Sequence, residues 1–326
     1  MTPPPVSTAA SAFGQSVATT FASLCAKQCP AAKFDEVALF THLASSLSTH
    51  GVVAYNLHGT KYQVTFDGIA PFAKPKSRCE LCDLLIVSFS VRAREVRMTF
   101  LQAKKSAQPL SYARNALCLR YIDPFVCNIA PHQWQLLAGR PLICGAIQSF
   151  APPSDLLDGG LCPSIGSYGL FSPFGVGYEF LYISADMLHP RTAVEPNTVW
   201  GRRSFQPVSG APVARMQFGC TERTYAGSLA DFAAALFQLE IGAPIPNGHG
   251  GRPAEAGASQ AAWLREQVAT HRRAPDTTEP SQPEATLDAL RDLLQPEREA
   301  ATRPPQEGGK LPMLLVQVGD DQSKNP

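Results

Sequence analysis

What the chain lacks narrows its function first. No stretch of apolar residues is long enough to cross a bilayer as a helix. The opening Met-Thr-Pro-Pro-Pro-Val-Ser carries no basic region followed by an apolar one, so no secretory leader is expected and the expected location is the cytoplasm. No H-E-x-x-H, G-x-S-x-G or G-x-x-x-x-G-K-[ST] pattern occurs, which disfavours zinc proteases, serine hydrolases of the nucleophile-elbow kind and P-loop nucleotide enzymes. There is no internal repeat, heptad array or low-complexity tract. Strong charge of either sign is missing too: the formal net charge is +1, so no global field draws a polyanion.

Cysteine is present but not in a form that builds a framework. The nine cysteines are scattered, odd in number and mostly in apolar surroundings, which suits reduced thiols in a cytosolic protein. Cys79-x-x-Cys82 invites a zinc or redox reading, but no second C-x-x-C and no H-x3-H follows at a usual spacing. Cys25, Cys29, Cys127 and His132 could join a site only by folding. Buried thiols are the better reading.

What is there suffices for a large core. The chain has 326 residues and a 44% hydrophobic fraction, while its 29 Pro and 24 Gly, many of them late, mark irregular stretches. The expected division is an N-terminal extension with a helix over 1–33, a main domain over 34–240 with its core in 34–150, and a Pro/Gly-rich flexible tail over 241–326. Hydrophobic spacing predicts helices over Ala12 to Lys27 and Phe34 to His50, the latter stopped by Gly51. Strands are expected at Val52 to Leu57 and Tyr62 to Phe66 around a His58-Gly59-Thr60 turn, then at Leu84 to Phe89 and Val96 to Lys104. Asp67 to Lys76 is expected as a loop. Helices follow at Ser111 to Leu119 and Pro131 to Leu137, with a buried strand over Pro141 to Phe150 and a long loop over 151–175. Strands at Tyr178 to Ser184 and Val213 to Phe218 precede a helix at Leu229 to Leu239. The tail is expected to hold docked helical islands at Gln260 to His271 and Ala285 to Leu294, and Leu311 to Val318 to pair as an edge strand or meet a partner. The fold class is therefore α/β.

Function concentrates between Cys79 and Lys105. Asp83 heads one apolar run, and Gln102-Ala103-Lys104 closes the next. Strand alternation puts Gln102 and Lys104 on one face with Val96, Met98 and Phe100. Glu36, Phe40, Leu43 and Leu47 share one side of the helix at 34–50, so a carboxylate heads its apolar face. Asp35 and Glu36 would also suit the positive end of that helix. Around this stretch, residues 72–120 hold Lys74, Lys76, Arg78, Arg92, Arg94, Arg97, Lys104, Lys105, Arg114 and Arg120 against only Glu80, Asp83 and Glu95. Such a local basic excess is a footprint for a polyanion.

An acid on a helix, an Asp at the start of a strand and Q-x-K at the end of the next resembles the PD-(D/E)XK, or restriction-endonuclease-like, superfamily in its Q-x-K variant. The matching residues are Glu36, Asp83, Gln102 and Lys104, across roughly 34–150. The resemblance implies a central mixed sheet flanked by helices, with Glu36, Asp83 and Gln102 holding Mg²⁺ or Mn²⁺ and Lys104 assisting the attacking water. It implies a DNA phosphodiesterase, an endonuclease of prokaryotic restriction or antiviral defence, with nucleic acid as partner; apart from the resemblance, the Pro-rich tail and terminal strand are expected to offer a contact for a protein partner. Glutamine in place of the usual acid removes one negative charge from the metal site. The alternative reading is a non-catalytic nuclease-like module that binds nucleic acid or protein. Some relatives carry a Gln on the following helix; Gln133 stands there, with Leu137 where that pattern has Tyr.

Overall fold

The computed structural model describes residues 7–27, 34–55, 62–68, 76–106, 126–128, 130–175, 177–190, 198–201, 213–218, 221–246, 257–273, 284–294 and 311–318. Helices α1 (Thr8–Lys27) and α2 (Glu36–Ser48) open the chain. Strands β1 (Val53–Tyr55), β2 (Gln63–Phe66), β3 (Ser77–Glu80), β4 (Leu84–Ser90), β5 (Glu95–Lys105) and β6 (Val126–Asn128) lead to helix α3 (Pro131–Gly139). Next come β7 (Cys144–Gly145), β8 (Gly166–Phe174), β9 (Gly177–Ser184), β10 (Leu188–Pro190), β11 (Thr198–Gly201), β12 (Val213–Phe218) and β13 (Thr221–Ala226). Helix α4 (Leu229–Phe237), β14 (Ala243–Pro244), helices α5 (Ala258–Arg273) and α6 (Glu284–Leu293), and β15 (Met313–Gln317) complete the described elements.

Among the described residues the main sheet runs β1-β15-β4-β5-β8-β9-β13-β12, with β14 also pairing β5. It is mixed: β4 and β5 are antiparallel, while β15–β4 and β5–β8 are parallel. Strand β5 is buried on both faces, as a central strand must be when helices cover each side. Val96, Met98 and Phe100 look toward α3, α5 and α6, where Leu136, Trp263, Leu264 and Leu290 are buried. Leu101 and Ala103 look toward α1, α2 and α4 through Phe21, Leu39, Leu43 and Phe232. The fold is thus α/β, a central mixed sheet between helices.

Helix α2 starts where its local chemistry dictates. The Asp35 side chain accepts a 2.7 Å hydrogen bond from Ala38 N, satisfying a donor that the first turn leaves open. Leu39, Leu43 and Leu47 are buried along one side, and Phe40 is only partly covered. Glu36 lies in line with that buried side, at its head. Each of those leucines contributes about 1.5–3 kcal/mol by leaving water.

Several expectations need correction. Pro141 to Phe150 is not a strand: only Cys144–Gly145 pair, with β2, and the rest is turn and loop. Pro141 has no N–H for a ladder, and Ile143 N turns instead to Ser154 O. The loop expected at 151–175 contains β8, a central strand. Its glycines serve close contact rather than a turn: Gly166 lies against the Leu137 carbonyl, and a Cβ at Gly169 would meet the Phe180 ring at 2.5 Å. The two helical islands of the tail, expected to be docked, are so: Trp263, Leu264, Val268 and Leu290 are buried in the core with Phe100. Strand β15 is interior, paired with β1 on one side and β4 on the other, so it offers no free edge to a partner. The expected His58-Gly59-Thr60 turn and the helix at Ser111 to Leu119 lie outside the described residues.

Candidate metal and phosphodiester site at the open end of the β4–β5 hairpin

The register of β4 against β5 sets Leu84 opposite Leu101, which brings Asp83 opposite Gln102. Strand β4 begins one residue later, so Ala103 N has no backbone acceptor from β4; the Asp83 carboxylate supplies one, Oδ2 accepting at 2.7 Å. Asp83 N in turn donates to Leu101 O at 3.0 Å. Asp83 is thereby fixed at both ends.

Gln102 is 2% exposed and donates a side-chain hydrogen bond to the Asp83 carboxylate. Its Oε1 is buried with no hydrogen-bond partner. An unfilled carbonyl acceptor in the interior costs roughly 1–3 kcal/mol; Ser88 Oγ and Gln267 Oε1 are in the same state, and what sets Gln102 Oε1 apart is the carboxylate beside it. Burial pushes the Asp83 carboxyl above its ordinary range, and the nearby Glu36 charge adds to this; Lys104, the Ala103 N–H and the Gln102 amide oppose it. The raising influences prevail.

Lys104 and Glu36 close the site from the other side. Lys104 Nζ lies 3.4 Å from Glu36 Oε1, and Lys105 N donates to Glu36 Oε2 at 3.1 Å. Helix α2 packs on the face of Leu101 and Ala103, opposite to that of Gln102, so Glu36 reaches Lys104 around the end of the strand. The four expected residues therefore gather in one place. Among the described residues no group of three or more His, Cys, Asp and Glu side chains is placed to hold an ion; this site offers two carboxylates and one carboxamide. Oxygen donors of this kind suit a hard cation that keeps several of its waters.

Beyond Lys104 and Lys105, the basic residues of this stretch that are described do not gather with them. Arg97 is buried and engaged with Glu95 and Gly242 O, and Arg92 and Arg94 are exposed in the hairpin turn at the opposite end of β5. Arg78 on β3 donates to the Gln63 side chain, while Lys74, Arg114 and Arg120 lie outside the described residues. Gln133 is half-buried in the first turn of α3, and Leu137 is core. Cys79 and Cys82 are free thiols; burial pushes Cys79 up to about 12 and Cys82 well above its ordinary value, so neither is a ready nucleophile.

Sequence reasoning missed Lys105, Phe34 and Tyr178. Lys105 Nζ donates to the Phe34 carbonyl and sits 5.3 Å from the centre of the Tyr178 ring. The doubled lysine of Q-A-K-K was the only local signal. No helix among the described residues is long and apolar enough to cross a membrane. A scan of family models, a search of curated proteins and a search of solved structures each found no match to this chain.

Proposed function

We propose that Glu36, Asp83, Gln102 and Lys104 form a Mg²⁺- or Mn²⁺-dependent centre that hydrolyses DNA phosphodiester bonds on a restriction-endonuclease-like core. The observation that carries this reading is the orphaned Gln102 Oε1, buried beside Asp83 and adjoining the Lys104–Glu36 pair. The residues fit a divalent cation in chemistry: Gln102 Oε1 is an oxygen donor with nothing else to do, and Asp83 and Glu36 supply the negative charge. When bound, the cation would neutralise charge developing on phosphate oxygen and lower the pKa of water.

The chain's own groups do the rest. Gln102 orients Asp83 through the amide hydrogen bond, and Ala103 N holds the carboxylate in place. Lys104, 15% exposed, presents a largely desolvated positive charge where a phosphoryl anion would develop. Glu36 steadies the Lys104 ammonium. The setting we infer is the cytoplasm of a prokaryote defending itself against foreign DNA.

One observation favours a second reading, a non-catalytic module that binds nucleic acid or protein. Both Glu36 oxygens are engaged, by Lys104 Nζ and Lys105 N, and Asp83 caps the ladder of β5. In that reading the four residues brace the sheet, and salt-sensitive DNA binding needs no metal. Incubating supercoiled plasmid with the protein and Mg²⁺ or Mn²⁺ decides between them. Metal-dependent cleavage lost in Asp83→Ala and Lys104→Ala is expected; cleavage unchanged in both variants, or none in the wild type with either metal, overturns the nuclease reading.

A further inference from the structure

Lys105 follows the Q-x-K residues, yet its ammonium is turned away from them. Its Nζ donates to the Phe34 carbonyl and lies over the Tyr178 ring, 5.3 Å from its centre. Phe34, 9% exposed, meets Tyr178 edge-on at 6.0 Å and His42 of α2 edge-on at 5.6 Å. The backbone of the same lysine also holds Glu36 directly, because Lys105 N donates to Glu36 Oε2. The short path from Phe34 to Glu36 is thus tied at both ends to Lys105. Glu36 itself is 40% exposed, and its packing alone would not fix a long, flexible side chain.

We propose that Lys105, seated on Tyr178, is a positioning residue that holds the Phe34–Glu36 segment so that Glu36 faces Lys104 and Asp83. The inference rests on Glu36 belonging to the centre described above, but its test does not need the metal. The ammonium is satisfied by a carbonyl and an aromatic face, a pairing in which the ring's negative face replaces part of the lost hydration. Its hydrogen bond goes to Phe34 O rather than to Asp83 or Gln102, so its effect on the site runs through Glu36.

The test is a double-variant cycle on the metal-free, full-length protein, read by carboxyl NMR titration of Asp83. Asp83 is faced by the charges of Lys104 and Glu36. Removing the Glu36 charge by Glu36→Gln moves the Asp83 midpoint to lower pH. In a Lys105→Met background the same substitution should move it less than half as far, because a Glu36 that has swung away is no longer felt. The direct loss of the Lys105 charge cancels in this difference. Lys105→Arg and Tyr178→Phe should keep the full coupling, and Tyr178→Ala should reduce it. Tyr178→Ala carries the same test if Lys105→Met does not fold.

Equal Glu36→Gln shifts in the wild-type and Lys105→Met backgrounds overturn the proposal. A second arm measures Mn²⁺ binding by electron paramagnetic resonance, where Lys105→Met should weaken affinity by about 10–100-fold, as outer partners of ligands do. A wild type that binds no Mn²⁺ sinks the metal reading alone, and the carboxyl coupling still decides the positioning role.

Discussion

The β4–β5 hairpin carries a buried or half-buried charge at each end, and the two ends treat it differently. Near the turn, Arg97 is 4% exposed and meets Glu95 Oε1 at 2.7 Å and Gly242 O at 3.0 Å. At the open end Asp83 is desolvated far enough to raise its carboxyl, and its neighbour Gln102 keeps a buried oxygen without a partner. A buried charge is tolerated only when paired and hydrogen-bonded. The turn end meets that requirement in full and reads as structure. The open end meets it in part; a buried oxygen without a partner is not peculiar to it, since Ser88 Oγ opposite Arg97 is in the same state, and what distinguishes it is the gathering of two carboxylates, a carboxamide and a lysine.

The comparison is sharpest in variants that separate activity from stability. Lys104→Met should lower cleavage by about 10²–10³-fold, the scale of losing one electrostatic stabiliser. Its partner Glu36 is 40% exposed and screened by water, so the melting free energy should shift by less than about 1 kcal/mol. Arg97→Met should do the reverse. Stranding Gly242 O and releasing Glu95 costs about 1–3 kcal/mol in urea unfolding, with metal affinity untouched.

A pH profile probes the open end directly. Because the Asp83 pKa is raised in the folded state, the native protein keeps that proton to higher pH than the unfolded chain does. Stability therefore falls as pH rises from the ordinary value of 3.8 to the raised one, at no more than about 1.4 kcal/mol per pH unit, and is level above it. Asp83→Asn should remove that slope. Glu179 and Asp231 are also raised by burial and add slopes of the same sign, so the difference between wild type and variant is the quantity to measure. A slope unchanged in Asp83→Asn would place the desolvated proton elsewhere. The smallest effect belongs to Arg92→Ala in the exposed turn, which should change stability by less than about 0.5 kcal/mol and leave DNA affinity as it was. A large loss of DNA affinity there would mean that the basic excess works at the turn rather than at Lys104.

The site was more legible in the sequence than parts of the fold around it. Strand parity alone put Gln102 and Lys104 on one face, and helical spacing put Glu36 in line with Leu43 and Leu47, because both are short-range consequences of backbone geometry. What parity could not give is the register that sets Asp83 opposite Gln102, which depends on where β4 begins. Strand β8 was illegible for a physical reason. Gly166 and Gly169 look like turn residues, and only the nearness of the Leu137 carbonyl and the Phe180 ring explains them. In the tail the two docked helices were legible from their spacing among the Pro and Gly residues, and Trp263 and Leu290 are core residues that dock them. Lys105 was hidden by its partners, since Phe34 and Tyr178 come from distant parts of the chain.

The central claim is that the orphaned Gln102 oxygen is a ligand position. Calorimetric titration of Mn²⁺ into metal-free wild type and Gln102→Leu tests it most directly. The account predicts binding to the wild type and at least about tenfold weaker binding to Gln102→Leu. Equal Mn²⁺ affinity in the two proteins would contradict it.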